Sequence, residues 1–117
     1  MAELTVQSIS KSGIADLSGA LVAADVAGDS VRASSGLLIA VENGDASPHT
    51  LTVVAPVSST RCNGYGSLDV EDITLIVAAG DVGFVSIPSK FSDSASAFSW
   101  TYDAVTSVTV GVFSISP

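Results

Sequence analysis

The sequence predicts an all-β fold, an antiparallel β-sandwich or jelly-roll-like barrel of about seven to nine short strands. Three observations carry this. Ser, Val, Ala and Gly dominate, while Glu, Lys and Arg are scarce, a vocabulary of strands and tight turns rather than helices. Apolar and polar residues alternate with period two along several segments of strand length. Turn signals recur about every 8–12 residues, as in sandwiches and barrels.

Taken in order, Leu4 and Val6 share one face and Thr5 and Gln7 the other, which reads as a strand or an extended arm. Residues 11–19 read as a loop punctuated by Gly13 and Gly19. Residues 20–26 (ALVAADV) alone have helical character, and Gly28 limits them to a short helix. Residues 36–42 form a strand with Leu37, Ile39 and Val41 on one face. Asn43-Gly44-Asp45 then reads as a tight hairpin turn, because Asn-Gly tolerates the positive φ angles such a turn needs. The returning strand, residues 50–55, points Leu51 and Val53 inward and Thr52 outward, and Pro56 ends its ladder.

Residues 58–66 read as a turn-rich loop. Residues 73–79 form a strand with Ile73, Leu75 and Val77 on one face; Ala79-Gly80-Asp81 turns the chain and residues 82–87 return. Pro88 and residues 89–95 form a polar loop. Residues 97–102 place Phe98, Trp100 and Tyr102 on a single face, a core face rather than a carbohydrate-stacking platform. In the last strand, within residues 105–115, Val108, Val110 and Val112 alternate with Ser107, Thr109 and Gly111. The organisation is an N-terminal strand or docking arm, residues 1–12, followed by one β-sandwich domain, residues 13–117.

Charge narrows the function. Twelve acidic residues face four basic ones, a net charge of −8, which repels phosphate backbones and anionic membrane surfaces. Nucleic acid and membrane are therefore not expected partners. The opening residues show no basic, then apolar, leader pattern, so synthesis in the cytoplasm is expected. The single cysteine, Cys62, leaves no internal disulfide to form.

Catalytic signatures are weak. Cys62 and His49 are the sole candidates for a Cys/His pair, in different loops, and no Gly-x-Ser-x-Gly elbow surrounds any serine. His49 reads as an exposed turn residue. One Cys and one His cannot build a zinc site. Asp69, Glu71 and Asp72, and then Asp25 with Asp29, are the densest acidic groups, and neither follows a calcium-loop pattern. The expectation is a non-enzymatic chain with no metal and no cofactor. Lys11, Arg32, Arg61 and Lys90 are scattered, each near a loop.

Several stretches carry a resemblance. They are Ala23-Ala24-Asp25-Val26-Ala27-Gly28-Asp29, Leu38-Ile39-Ala40-Val41-Glu42-Asn43-Gly44 leading to Thr50-Leu51-Thr52-Val53, and Val77-Ala78-Ala79-Gly80-Asp81. The most specific is Thr101-Tyr102-Asp103-Ala104-Val105-Thr106-Ser107-Val108-Thr109-Val110. In order and spacing they resemble a family of small capsid decoration, or cement, proteins that tailed bacteriophages encode beside the major capsid protein. The sequence departs from that pattern over residues 58–72, which carry Cys62 and an acidic turn. The resemblance implies a structural virion protein on the exterior of an icosahedral shell, often trimeric, whose partner is the major capsid protein. On that reading the partner contacts are Leu4, Val6 and Ile9 of the N-terminal segment, with Lys11, Arg32 and Arg61. Two other roles stay open: a virion adhesion or carbohydrate-binding module, and a low-copy neck or tail component.

Overall fold

The computed structural model describes residues 2–11, 13–32, 36–54, 59–62, 66–69, 72–87 and 97–115. Within them lie twelve strands and one helical turn. In chain order these are β1 (Ala2–Leu4), β2 (Val6–Ile9), α1 (Leu17–Ala20), β3 (Val22–Ala23), β4 (Asp29–Arg32), β5 (Leu37–Asn43) and β6 (His49–Val53). There follow β7 (Ser59–Cys62), β8 (Gly66–Asp69), β9 (Ile73–Val77), β10 (Val82–Ser86), β11 (Ala97–Tyr102) and β12 (Val108–Ile115).

Two five-stranded sheets make a sandwich, as expected. The first has the order β1-β4-β11-β6-β9. The second has the order β10-β5-β12-β2, and β3 pairs with β12 beside β2. Period-two alternation points one face of each strand into the space between the sheets. Val31, Leu37, Ile39, Val41, Leu51, Val53, Phe98, Trp100, Val108, Val110 and Val112 meet there and are almost wholly buried. The aromatic strand is thus core: Phe98 and Trp100 are buried, and Tyr102 packs against the same cluster.

The sheets are mixed rather than purely antiparallel. β1 runs parallel to β4, and β2 runs parallel to β12. The alternating stretch at residues 3–9 is therefore two strands, because the chain changes sheet at Thr5. This split, together with β3, brings the two main sheets to ten strands, above the seven to nine expected. β12 explains how both fit: one edge pairs with β5 along its length, and the other is shared by β3 at Thr109–Val110 and β2 from Val112 onward.

The expected hairpin over residues 36–55 does not form. β5 and β6 lie in different sheets; β6 pairs with β9 and β11, and β5 with β10 and β12. Neither Asn43 nor Gly44 has the positive φ that a two-residue hairpin turn requires. Residues 44–48 are instead a corner that carries the chain across the core. The Ala79-Gly80-Asp81 turn is the same kind of feature, joining β9 of one sheet to β10 of the other. Where residues 58–66 are expected as loop, β7 runs antiparallel to β8; residues 63–65 lie outside the described residues.

The helical turn also falls earlier than expected, at Leu17–Ala20, and residues 22–23 are strand. Asp16 starts it by accepting the Gly19 amide on Oδ1 at 3.1 Å, the N-cap bond. Gln7 Nε2 donates to the Ala20 carbonyl at 2.9 Å, which ties the turn to β2. Under it lies a second small core of Leu21, Ala40 and Phe113, with Ile9, Ile14 and Leu17 packed alongside. β5 is consequently buried on both faces, as the unbroken apolar run at residues 37–41 allows.

Candidate functional site

One end of the sandwich gathers the loop at residues 24–28 and the corners at residues 44–48, 78–81 and 103–107. Among the described residues, three polar side chains are buried, Asp29, Asn43 and His49, and all three serve this end.

Asn43 ends the inner face of β5. Its Nδ2 donates to the carbonyls of Ser47 at 2.8 Å and Val77 at 3.0 Å, and its Oδ1 accepts the Asp45 amide at 3.0 Å. Its main chain bonds Asp81 and Gly80, and the next amide, Gly44, donates to Ser107 O at 2.9 Å. Asn43 and Gly44 together thus clasp three corners. The approach at Ser107 is close enough that a Cβ on residue 44 would stand 3.1 Å from that carbonyl oxygen, which favours glycine there.

His49 opens β6, and its burial corrects the expectation of an exposed turn histidine: it is 8% exposed. Nε2 lies 2.9 Å from Asp45 Oδ2, and Nδ1 lies 3.1 Å from Asp103 Oδ1. Ionised carboxylates only accept, so bonding both of them requires the doubly protonated ring, the form that their charge favours. The Asp45 hydrogen bond raises its pKa, Asp103 adds to the rise, and burial opposes it. His49 and the Ala46 amide hold the Asp45 carboxyl below its usual range. Burial works against ionised Asp103, but hydrogen bonds involving Thr50, His49 and the Ala104 amide outweigh it and lower its pKa.

These directions fix a pH dependence. The raised His49 pKa contributes stability that is fully present below its unfolded value of 6.5 and is lost as pH rises through the folded value. The lowered Asp45 and Asp103 values contribute stability present above 3.8 and lost as pH falls through their folded values. Thermal unfolding midpoints measured from pH 3 to 9 should therefore peak between about 4 and 6.5. In His49→Gln the decline on the alkaline side should flatten; superimposable curves for both proteins would refute the bridge.

At the same end, Gly28 (φ 97°) lays its loop on β11, where any Cβ would stand 2.6 Å from Trp100 O. Asp29 is thereby set opposite Trp100. Trp100 Nε1 donates to the Tyr102 hydroxyl at 2.8 Å, and that hydroxyl donates to Asp29 Oδ2 at 2.5 Å. Burial, and then the Asp29 carboxylate, push the Tyr102 phenol far above its ordinary pKa. Asp29 Oδ2 also accepts the Asp25 amide at 3.2 Å, whereas Oδ1 is buried without a hydrogen bond. Asp25 itself caps its own turn, since Oδ1 accepts the Ala27 amide at 2.9 Å, and this holds its carboxyl low. No three His, Cys, Asp or Glu side chains among the described residues stand together as metal ligands.

The sequence-predicted contact residues do not form one patch. Leu4 and Val6 pack against the main core and Ile9 against the second. Lys11 and Arg32 are exposed, on the turn after β2 and at the end of β4. Arg61 lies on β7, with its side chain outside the described residues, as are Lys90 and Glu71; the Asp69 side chain is outside them too. Two shallow cavities, of about 260 and 460 Å³, share Glu3, Leu4 and Thr5 where the chain crosses between sheets.

Sequence reasoning missed a different surface. β9 and β10 are the outer strands of the two sheets on one flank, each paired on one side among the described residues. They expose Ile76 (68%), Phe84 (52%) and Val82 (48%) and contain no charged residue. The signal was present, since Ile76 on β9, and Val82 and Phe84 on β10, occupy the outward phase of their strands.

The architecture is a mixed β-sandwich closed at one end by buried polar corners, with β9 and β10 as the outer strands on one flank among the described residues. Comparisons with family models, with curated proteins and with solved structures each find no match to this chain. No helix among the described residues is long and apolar enough to cross a membrane.

Proposed function

We propose that this chain is a structural virion protein that decorates and stabilises the exterior of an icosahedral tailed-phage capsid. The motif order described above supports it. The structural observation offered in its support is that, among the described residues, β9 and β10 are each paired on one side and leave Ile76, Val82 and Phe84 exposed, apolar side chains of the kind a partner covers. A homotrimer bridging major capsid subunits would need only modest individual contacts, because three linked sites raise avidity by roughly 10²–10⁴. Binding that prefers the expanded shell would stabilise that shell by linkage. No cofactor, metal, nucleic acid or membrane enters this role, and synthesis takes place in the host cytoplasm.

The test is gel densitometry of purified virions together with co-sedimentation on expanded shells. A copy number near that of the major capsid protein, and shell binding weakened at least about tenfold by Phe84→Asp with Ile76→Asp, a loss of about 1.4 kcal/mol, is the expected result. A few copies per particle would move the protein to the neck or tail, and absence from virions would end the reading. The adhesion alternative needs an exposed aromatic platform, and the Phe98/Trp100 strand does not supply it, since both side chains are buried.

A further inference from the structure

Asn-Gly is the dipeptide most prone to self-modification, because glycine leaves the following amide unhindered. The Gly44 nitrogen attacks Asn43 Cγ, ammonia leaves, and a succinimide forms. Water then opens the ring to aspartate or isoaspartate. The net change is amide plus water to carboxylate plus ammonium, with no oxidant or reductant. The corner opposes each requirement of this step. The attacking amide is occupied by Ser107 O at 2.9 Å. The side-chain amide is fixed at both atoms, Nδ2 by Ser47 O and Val77 O and Oδ1 by the Asp45 amide. Asn43 is also buried at the end of β5, so Cγ has no room to swing toward the next nitrogen.

We infer that Asn43–Gly44 is a latent deamidation site that the closed corner holds shut, and that its conversion is an irreversible record of the corner having opened. The reason for irreversibility is chemical. Asparagine donates to two carbonyls here, whereas a carboxylate would present acceptor to acceptor in a buried place, so the corner does not reclose. An isoaspartate would also lengthen the backbone at the end of β5 and shift its register against Asp81.

The experiment is peptide mapping by mass spectrometry after prolonged incubation of the full chain at about pH 6.5, where the His49 bridge is in place, in native buffer and in urea. The sequence supplies a second Asn-Gly at Asn63-Gly64, whose conversion in urea shows that the conditions suffice. Asn43 should convert at least about tenfold more slowly in native buffer than in urea, which an opening free energy of about 1.4 kcal/mol already produces. His49→Gln, which removes the Asp45–Asp103 bridge but no part of the reacting pair, should speed conversion at Asn43 in native buffer. Equal rates at Asn43 in buffer and urea would overturn protection by the fold. An unchanged native rate in a folded His49→Gln protein would overturn the corner as its gate.

Discussion

Replacing Trp100 with alanine should cost about 3–5 kcal/mol, the range for emptying a large aromatic from a packed core. The indole is fully buried between the sheets, among Val31, Val53, Phe98 and Val112 in one cluster. Chain stability for a domain of this size is about 5–15 kcal/mol, so the variant should be marginally folded. Chemical unfolding followed by circular dichroism reads the effect, and a midpoint free energy within about 1 kcal/mol of the parent would show that the ring does not fill the core. Trp100→Phe separates packing from hydrogen bonding. It keeps most of the apolar volume but removes the donor to Tyr102, whose hydroxyl remains bound to Asp29. Its cost should be nearer 1–2 kcal/mol, set by the lost bond and the smaller ring.

The inner faces of the sandwich are legible because period two is a local property. Leu37, Ile39 and Val41, then Phe98 and Trp100, then Val108, Val110 and Val112 are read correctly one strand at a time. Pairing is not local. Asn43-Gly44 suits a hairpin turn, yet the side chain of Asn43 finds its partners at Ser47 and at Val77, thirty-four residues on, and those bonds select a corner. A turn dipeptide states what the backbone tolerates; the tertiary bonds decide what it does.

The same limit explains His49. Its spacing of four from Asp45 is visible in the sequence, but the second carboxylate, Asp103, arrives from fifty-four residues away. Only when β6 and β11 pair do the two ring nitrogens acquire both acceptors, and an unremarkable loop histidine becomes a buried charge. The exposed flank is the converse case. Ile76, Val82 and Phe84 occupy outward positions that a strand-by-strand reading, which follows the core face, passes over.

Deleting residues 2–9 should have an effect comparable to that of Trp100→Ala, for reasons spread over both sheets. Leu4 and Val6 leave the main core, Ile9 leaves the second, and the edges of β4 and β12 lose their parallel partners. Three partly buried aliphatic side chains at about 1 kcal/mol each, plus several ladder bonds at about 0.5 kcal/mol each, give a loss on the order of 5 kcal/mol. A truncated chain that unfolds or melts far below the parent would show that the segment is structural. A truncated chain with the parental midpoint but no affinity for shells would instead make it a docking arm. The exposed cations permit a cleaner separation, because Lys11→Glu with Arg32→Glu alters no buried contact. That pair should leave the unfolding midpoint within about 0.5 kcal/mol of the parent. Any fall in shell binding would then belong to docking alone and place the N-terminal edge against the capsid; unchanged binding would leave the β9–β10 flank as the face that meets it.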